Sequence, residues 1–207
     1  MTNNGNGTNN GIVGRVLRAS TRGFDCGAHS RNIGENHDFG AFVKAPIANN
    51  SEIDAIGLIY KVEIKDDQLI AELVLGDAVP DSILRDQREN RMIPVEVKVL
   101  NVGFITNGQI VHSLPPRPPM SLSDVVLCNQ DEVYNFTLRH DFFRLILGAS
   151  EVPSDDLVAA AIRYAAGVYN GNEEMRRAFL VSCGRQLARD LSNDLKRLAY
   201  ILTLIRP

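Results

Sequence analysis

The sequence predicts an α+β protein, a small antiparallel β-barrel followed by a C-terminal helical hairpin. Three observations carry that expectation. Apolar residues recur at every second position in three stretches between residues 56 and 99. From residue 131 onward they recur at spacings of three and four. The change of period follows a proline-rich segment, His112-Ser113-Leu114-Pro115-Pro116-Arg117-Pro118-Pro119. Period two marks a strand with one buried and one wet face, and period 3.6 marks a helix with an apolar stripe. Strands that bury one face suit a closed barrel or sandwich rather than a parallel sheet covered on both sides.

The chain divides into a lead-in at 1–10, a β region at 11–128 and a helical region at 129–207. The Asn- and Gly-rich lead-in has too few apolar residues to build a core and reads as disordered. In the β region, Ile56, Leu58, Tyr60, Val62 and Ile64 form one face, with Lys61, Glu63 and Lys65 on the other. Leu69, Ala71, Leu73 and Leu75 repeat the pattern after Asp66-Asp67, which predicts a hairpin. Ile93, Val95, Val97 and Val99 alternate with Glu96 and Lys98. Weaker strands are expected at 12–18, 38–44, 101–106, 109–114 and 123–128. Residues 80–89 read as a short helix, with Pro80 at its first position and Asp81, Arg85 and Glu89 four apart.

In the helical region, Phe142, Phe143, Leu145 and Ile146 predict a short helix that Gly148 ends. Ser154 is the expected N-cap of the next, with Asp155 and Asp156 in the first turn, where carboxylates suit the helix dipole. Leu157, Ala161, Tyr164 and Val168 form its stripe. After Asn170-Gly171-Asn172, one long second helix is expected, with Phe179, Cys183, Leu187, Leu191, Leu195, Leu198, Leu202 and Ile205 on one side. Its last turns, from Ala199 to Ile205, are apolar on nearly every side, so they are expected to be buried against the barrel or a second chain.

The 207 residues carry a net charge of −3, with 44% apolar and 23% charged residues. That balance argues against a general nucleic-acid coat. No apolar run reaches spanning length, and the N-terminus lacks the pattern of a secretory signal. Three widely spaced cysteines argue against a disulfide framework. The expected location is the cytoplasm.

Few residues form a chemical constellation. No Gly-x-x-x-x-Gly-Lys-Ser/Thr loop occurs, so no nucleotide hydrolysis is expected. Cys26, His29 and His37 have a plausible local spacing for metal ligands, but the second close pair of a four-ligand site is missing, and a turn histidine beside a small buried thiol is the simpler reading. The neighbouring acids Asp66-Asp67, Asp131-Glu132 and Asp155-Asp156 fit turns and helix starts. Arg15, Arg18 and Arg22 cluster early and offer a basic surface for single-stranded nucleic acid. Arginines of the final helix alternate with Asp190 and Asp194 and read as a solvated face.

The opening Gly11-Ile12-Val13-Gly14-Arg15-Val16-Leu17, the stretch Ala55-Ile56-Gly57-Leu58-Ile59-Tyr60-Lys61-Val62 and the Leu-Pro-Pro-Arg-Pro-Pro segment together resemble the HAS barrel. That domain stands at the N-terminus of HerA-type DNA-translocating ATPases and of rotary ATP synthase ring subunits. The resemblance covers residues 11–128 and takes the form of a barrel without the ATPase domain. It implies a non-catalytic assembly or adaptor protein, homo-oligomeric or docked to a separate HerA-like ATPase or a nuclease. No cofactor is expected. Arg15, on the first strand, and Arg117, held among four prolines, are the expected partner-binding residues. The alternatives are a single-stranded nucleic-acid-binding barrel and a metal-dependent enzyme built on Cys26, His29 and His37.

Overall fold

Alternating apolar residues on successive strands close a sheet on itself. The computed structural model describes residues 11–29, 33–64 and 94–206. The expected lead-in at 1–10, hairpin partner at 69–75 and helix at 80–89 lie outside the described residues. The strands are β1 (Ile12–Ala19), β2 (Gly23–His29), β3 (Phe42–Ile47), β4 (Asn50–Ile64), β5 (Pro94–Thr106), β6 (Gln109–Val111) and β7 (Asp124–Leu127). Their order is β2-β1-β7-β3-β4-β5-β6, and β2 also pairs with β5. All pairings are antiparallel, so six strands form a closed barrel and β6 is a short hairpin arm on β5.

Residues of alternate register fill two cores. Val13, Val16, Phe24, Cys26, Val43, Ile59, Val95, Val97, Val99 and Val125 pack together inside the barrel. Phe42, Ile56, Leu58, Leu100 and Val102 join a second core made with the helices. The outward positions of β5 change character along the strand: Glu96 and Lys98 give way to Leu100 and Val102. The helical layer covers the wall where these outward residues turn apolar, and each fully buried side chain of this size contributes about 1.5–3 kcal/mol.

Two glycines are fixed by close approach. A Cβ on Gly23 would lie 2.2 Å from the carbonyl oxygen of Val99, across the β2–β5 seam that closes the barrel. Gly40 has φ +87°, and its Cβ would meet Ala160 at 2.6 Å, so the turn before β3 lies directly on a helix.

The helices are α1 (Gln130–Thr137), α2 (Phe143–Leu147), α3 (Ser154–Ala166), α4 (Glu173–Asp190) and α5 (Leu195–Leu204). Asn129 and Glu132 cap α1 reciprocally, each side chain accepting from the other's backbone N–H at 2.9 Å. Pro153, not Ser154, is the N-cap of α3, and Ser154 is its first residue. Nearly every residue of α3 from Leu157 to Ala166 is buried, so it is a central helix rather than a striped surface one. The expected long second helix is two helices. It breaks at Leu191, and Asp194 restarts it as the N-cap of α5, accepting from the backbone N–H of Arg197 at 3.1 Å. Ser, Asn and Asp at 192–194 compete with the helix by bonding to nearby backbone, which explains the break. Arg197 of α5 grips Asp155 through Nε at 2.9 Å and Nη2 at 2.5 Å, and Tyr200 donates to Asp156 at 2.8 Å. The acidic pair at the start of α3 thereby ties α5 down. Ile201 and Ile205 are buried within the chain, so the apolar tail packs intramolecularly.

Other expectations shift for local reasons. The run Gly23–His29, where no strand was expected, is β2, with Phe24 and Cys26 facing the barrel interior. The strand expected at 38–44 begins at Phe42, after a short helical turn at Glu35–His37. The β4 ladder slips between Ile59 and Lys61, so Ile59 and Val62 pack with the interior core, Tyr60 packs with the helices, and Ile64 is 61% exposed. The proline-rich segment does not lead into the helices. Ala48 donates to the carbonyl of Pro118 at 3.0 Å and Met120 to that of Pro46 at 2.8 Å, so the segment lies along the end of β3 before β7 begins.

Candidate functional site

Strand β1 turns Val13 and Val16 into the barrel and leaves Ile12, Leu17 and the arginines outside. Among the described residues no α-helix covers this part of the wall: no residue of β1 or β2 belongs to the barrel–helix core. Ile12 is 40% exposed and Leu17 is 52% exposed. Leu17 lies over Gly27 of the neighbouring strand, where an added Cβ would meet its side chain at 3.1 Å. The segment entering β7 adds Met120 and Leu122, 46% and 72% exposed. Leu122 donates its N–H to the carbonyl of Val16 at 2.9 Å, and Val16 donates to Ser123 at 3.0 Å, which fixes Leu122 beside β1. Its φ is +62°. An L-residue in this left-handed region is disfavoured by roughly 1–2 kcal/mol. The fold holds a large apolar side chain in water on a strained backbone, and such outliers cluster at functional positions.

Charges rim this surface and are mostly paired. Arg15 Nε lies 3.0 Å from Asp124 Oδ1, with both groups exposed. Arg18 pairs with Asp25 at 2.9 Å and with the buried carboxylate of Glu96. The Asp25 hydrogen bond and the Glu96 charge raise the pKa of Arg18. Arg22 faces Glu151 at 3.7 Å. The basic trio that suggested nucleic-acid binding is thus charge-compensated by carboxylates of the same chain. A cleft of about 300 Å³ sits among these groups, lined by Arg18, Arg22, Asp25, Tyr60 and Glu151 at the β2–β5 seam. Arg117 is exposed and has no ion pair among the described residues. Arg15 was expected to be presented from the first strand and Arg117 from the proline segment, but β1 is paired on both sides and Arg15 is already bonded.

Two of the suggested metal ligands, Cys26 and His37, are engaged within the fold, and the side chain of His29 lies outside the described residues. Cys26 is fully buried in the barrel core, where burial pushes its thiol up to about 12. His37 is buried, with Nε2 donating to the carbonyl of Val13 at 2.9 Å and Nδ1 accepting from the N–H of Gly34 at 3.4 Å, so both ring nitrogens are engaged. Among the described residues no three His, Cys, Asp or Glu side chains gather as a ligand set. Burial also pushes up the thiols of Cys128 and Cys183, the latter to about 12. Thiols in this state are poor nucleophiles.

The helical layer holds its own cleft of about 250 Å³, between α1 and α4. At its polar end His140 Nε2 is 2.9 Å from Ser182 Oγ and 4.0 Å from Cys183 Sγ, while its buried Nδ1 has no partner. The ring stacks on Phe143 at 5.4 Å, and burial lowers its pKa. A serine–histidine contact without a group to orient the imidazole lacks the third member of a catalytic triad. No helix among the described residues is long and apolar enough to cross a membrane.

The residues that distinguish the uncovered wall, Leu17, Met120 and Leu122, escaped the reading of the sequence. The available signal was Met120-Ser121-Leu122-Ser123, two large apolar residues alternating with serine in a stretch too short to bury them. Compared with family models and with curated proteins, the sequence matches none.

Proposed function

We propose that the chain is a non-catalytic assembly module that docks through the exposed wall of its barrel, as a relative of the HAS barrel. The observation that carries this reading is Leu122, held at φ +62° and 72% exposed. A fold that only had to be stable would place glycine or asparagine there. Leucine at that position is useful when another chain covers it. Around it, Leu17, Ile12 and Met120 supply an apolar centre, and the Arg15–Asp124 pair supplies a polar rim, the usual anatomy of a docking surface. The resemblance adds the biological setting: an oligomer of such barrels as the platform for a separate DNA-processing ATPase.

The Leu122→Gly variant separates docking from folding. It relieves roughly 1–2 kcal/mol of backbone strain against an entropic cost of about 0.5–1 kcal/mol, so the melting temperature holds or rises. It also removes an apolar side chain whose burial in a complex is worth about 1.5–3 kcal/mol, so self-association falls roughly tenfold or more. Sedimentation and thermal melts of the two proteins read both effects. Wild-type protein that remains monomeric at every concentration, or a variant that associates unchanged, removes this reading.

A further inference from the structure

The cleft in the helical layer is the second apolar feature that the fold leaves unfilled. Its walls are Tyr134, Leu138, Tyr169, Met175 and Phe179. Tyr169 packs against Tyr134 at 5.7 Å and against Phe179 at 5.1 Å, so the aromatic side of the cleft is braced. Leu138 and Met175 remain 57% and 46% exposed beside it. The cleft belongs to the helices that cover β3, β4 and β5, whereas Leu122 stands beside β1, which contributes nothing to the barrel–helix core.

Unpaired charge marks the two features with opposite signs. Arg117 lies five residues before Leu122, exposed and without an ion pair among the described residues. Glu174, next to Met175 in the first turn of α4, is likewise exposed and without an ion pair among the described residues, whereas Glu173 pairs with Arg176 at 3.5 Å. Resting on the docking role above, we propose that the occupant of the cleft is a second copy of this chain: Leu122 of one molecule seats in the Tyr134–Met175–Phe179 cleft of the next, with Arg117 facing Glu174 across the contact. Such a contact is heterologous, so each molecule uses one surface to give and the other to receive. Repetition then produces a closed ring or a filament according to the rotation per step.

Mixing two disabled proteins tests this arrangement. Leu122→Asp removes the projecting side and keeps the cleft, while Met175→Asp blocks the cleft and keeps the projecting side. Both positions are substantially exposed, so each variant is expected to melt like wild type. Alone, each is expected to sediment as a monomer. Mixed in equal amounts, they are expected to form a one-to-one dimer that does not grow, because one good contact joins them and the remaining two surfaces are disabled. Wild type that assembles, with Leu122→Asp monomeric and Met175→Asp assembling unchanged, overturns the cleft as receiver and leaves the docking wall standing. Two monomeric variants that fail to combine also overturn it, since a two-fold symmetric contact cannot be complemented in this way. If Met175→Asp does not fold, charge reversal decides instead. Arg117→Glu and Glu174→Arg are each expected to weaken association up to about fivefold, and the double reversal to restore it. Non-restoration overturns the proposal.

Discussion

The two halves of the barrel wall treat their outward side chains differently. On β3, β4 and β5, Phe42, Ile56, Leu58, Leu100 and Val102 point out and are covered by the molecule's own helices. On β1 and the approach to β7, Ile12, Leu17, Met120 and Leu122 also point out and remain exposed. Similar residue types therefore contribute to stability on one side and remain available for association on the other. The difference lies in what the chain supplies to cover them. On the first side, α3 sits at the centre of a complete layer, and Phe42 touches Phe136, Phe142 and Tyr164 at ring-centre distances of 5.8–6.0 Å. On the second, no α-helix among the described residues covers them.

The contrast is sharpest in a matched pair of truncations. Phe42→Ala opens a cavity at a fully buried position and is expected to cost about 4 kcal/mol of folding stability, read by denaturant titration. Leu17→Ala, half exposed, is expected to change folding stability by no more than about 0.5 kcal/mol while weakening association. Equal destabilisation by the two would dissolve the distinction between the halves.

Asn101 tests how the halves are joined. Its buried Nδ2 lies 3.1 Å from the Thr21 carbonyl and 3.4 Å from that of Ser20, and its N–H donates to Arg22 at 2.9 Å. It pins the β1–β2 turn to β5 where the barrel closes. Asn101→Ala is expected to cost about 1–2 kcal/mol. Hydrogen exchange is expected to show the β1–β2 turn opening first. Protection unchanged in that turn would show that the seam holds without it.

A smaller effect comes from the histidines of the covered side. Burial lowers the pKa of His112 and of His140, with Asp141 partly opposing it in both. The folded state then binds fewer protons than the unfolded chain, so their contribution is complete above the unfolded value near ~6.5 and is lost progressively as pH falls from there through the lowered folded-state values. Melting temperature is expected to decline below that point, and less steeply in His140→Phe, which keeps the stack on Phe143. A decline of the same slope in the variant would assign it to other groups.

Part of this architecture was legible in the sequence. Val95, Val97 and Val99 advertised a strand with one interior face, and the shift to period 3.6 after residue 130 marked the helices. Strand β2 was hidden because Gly23, Asp25 and Gly27 are poor strand formers, although Gly23 is small for a tertiary reason, the Val99 carbonyl across the seam. The two-helix split at 191–194 was written in Ser192, Asn193 and Asp194, but a continuous leucine stripe outweighed it. The exposed wall was the least legible part. Leu17 and Leu122 look like any core leucine until the described path of the chain leaves them exposed. Arg15 and Arg117 stood out by charge, yet Arg15 turned out to be satisfied by Asp124.

The β2–β5 pairing bears on the proposed contact between copies. Among the described residues, closure of the sheet leaves little vacant backbone ladder on the six barrel strands, chiefly the end of β4 beyond Ile59, which β5 alone pairs, besides the short β6 arm. Fibrous aggregation proceeds by adding strand to strand, and a closed barrel denies the template for it. Apolar side chains can therefore stand in water on the outer wall beside few open strand edges, and the proposed contacts between copies are matters of side-chain fit that dilution would undo.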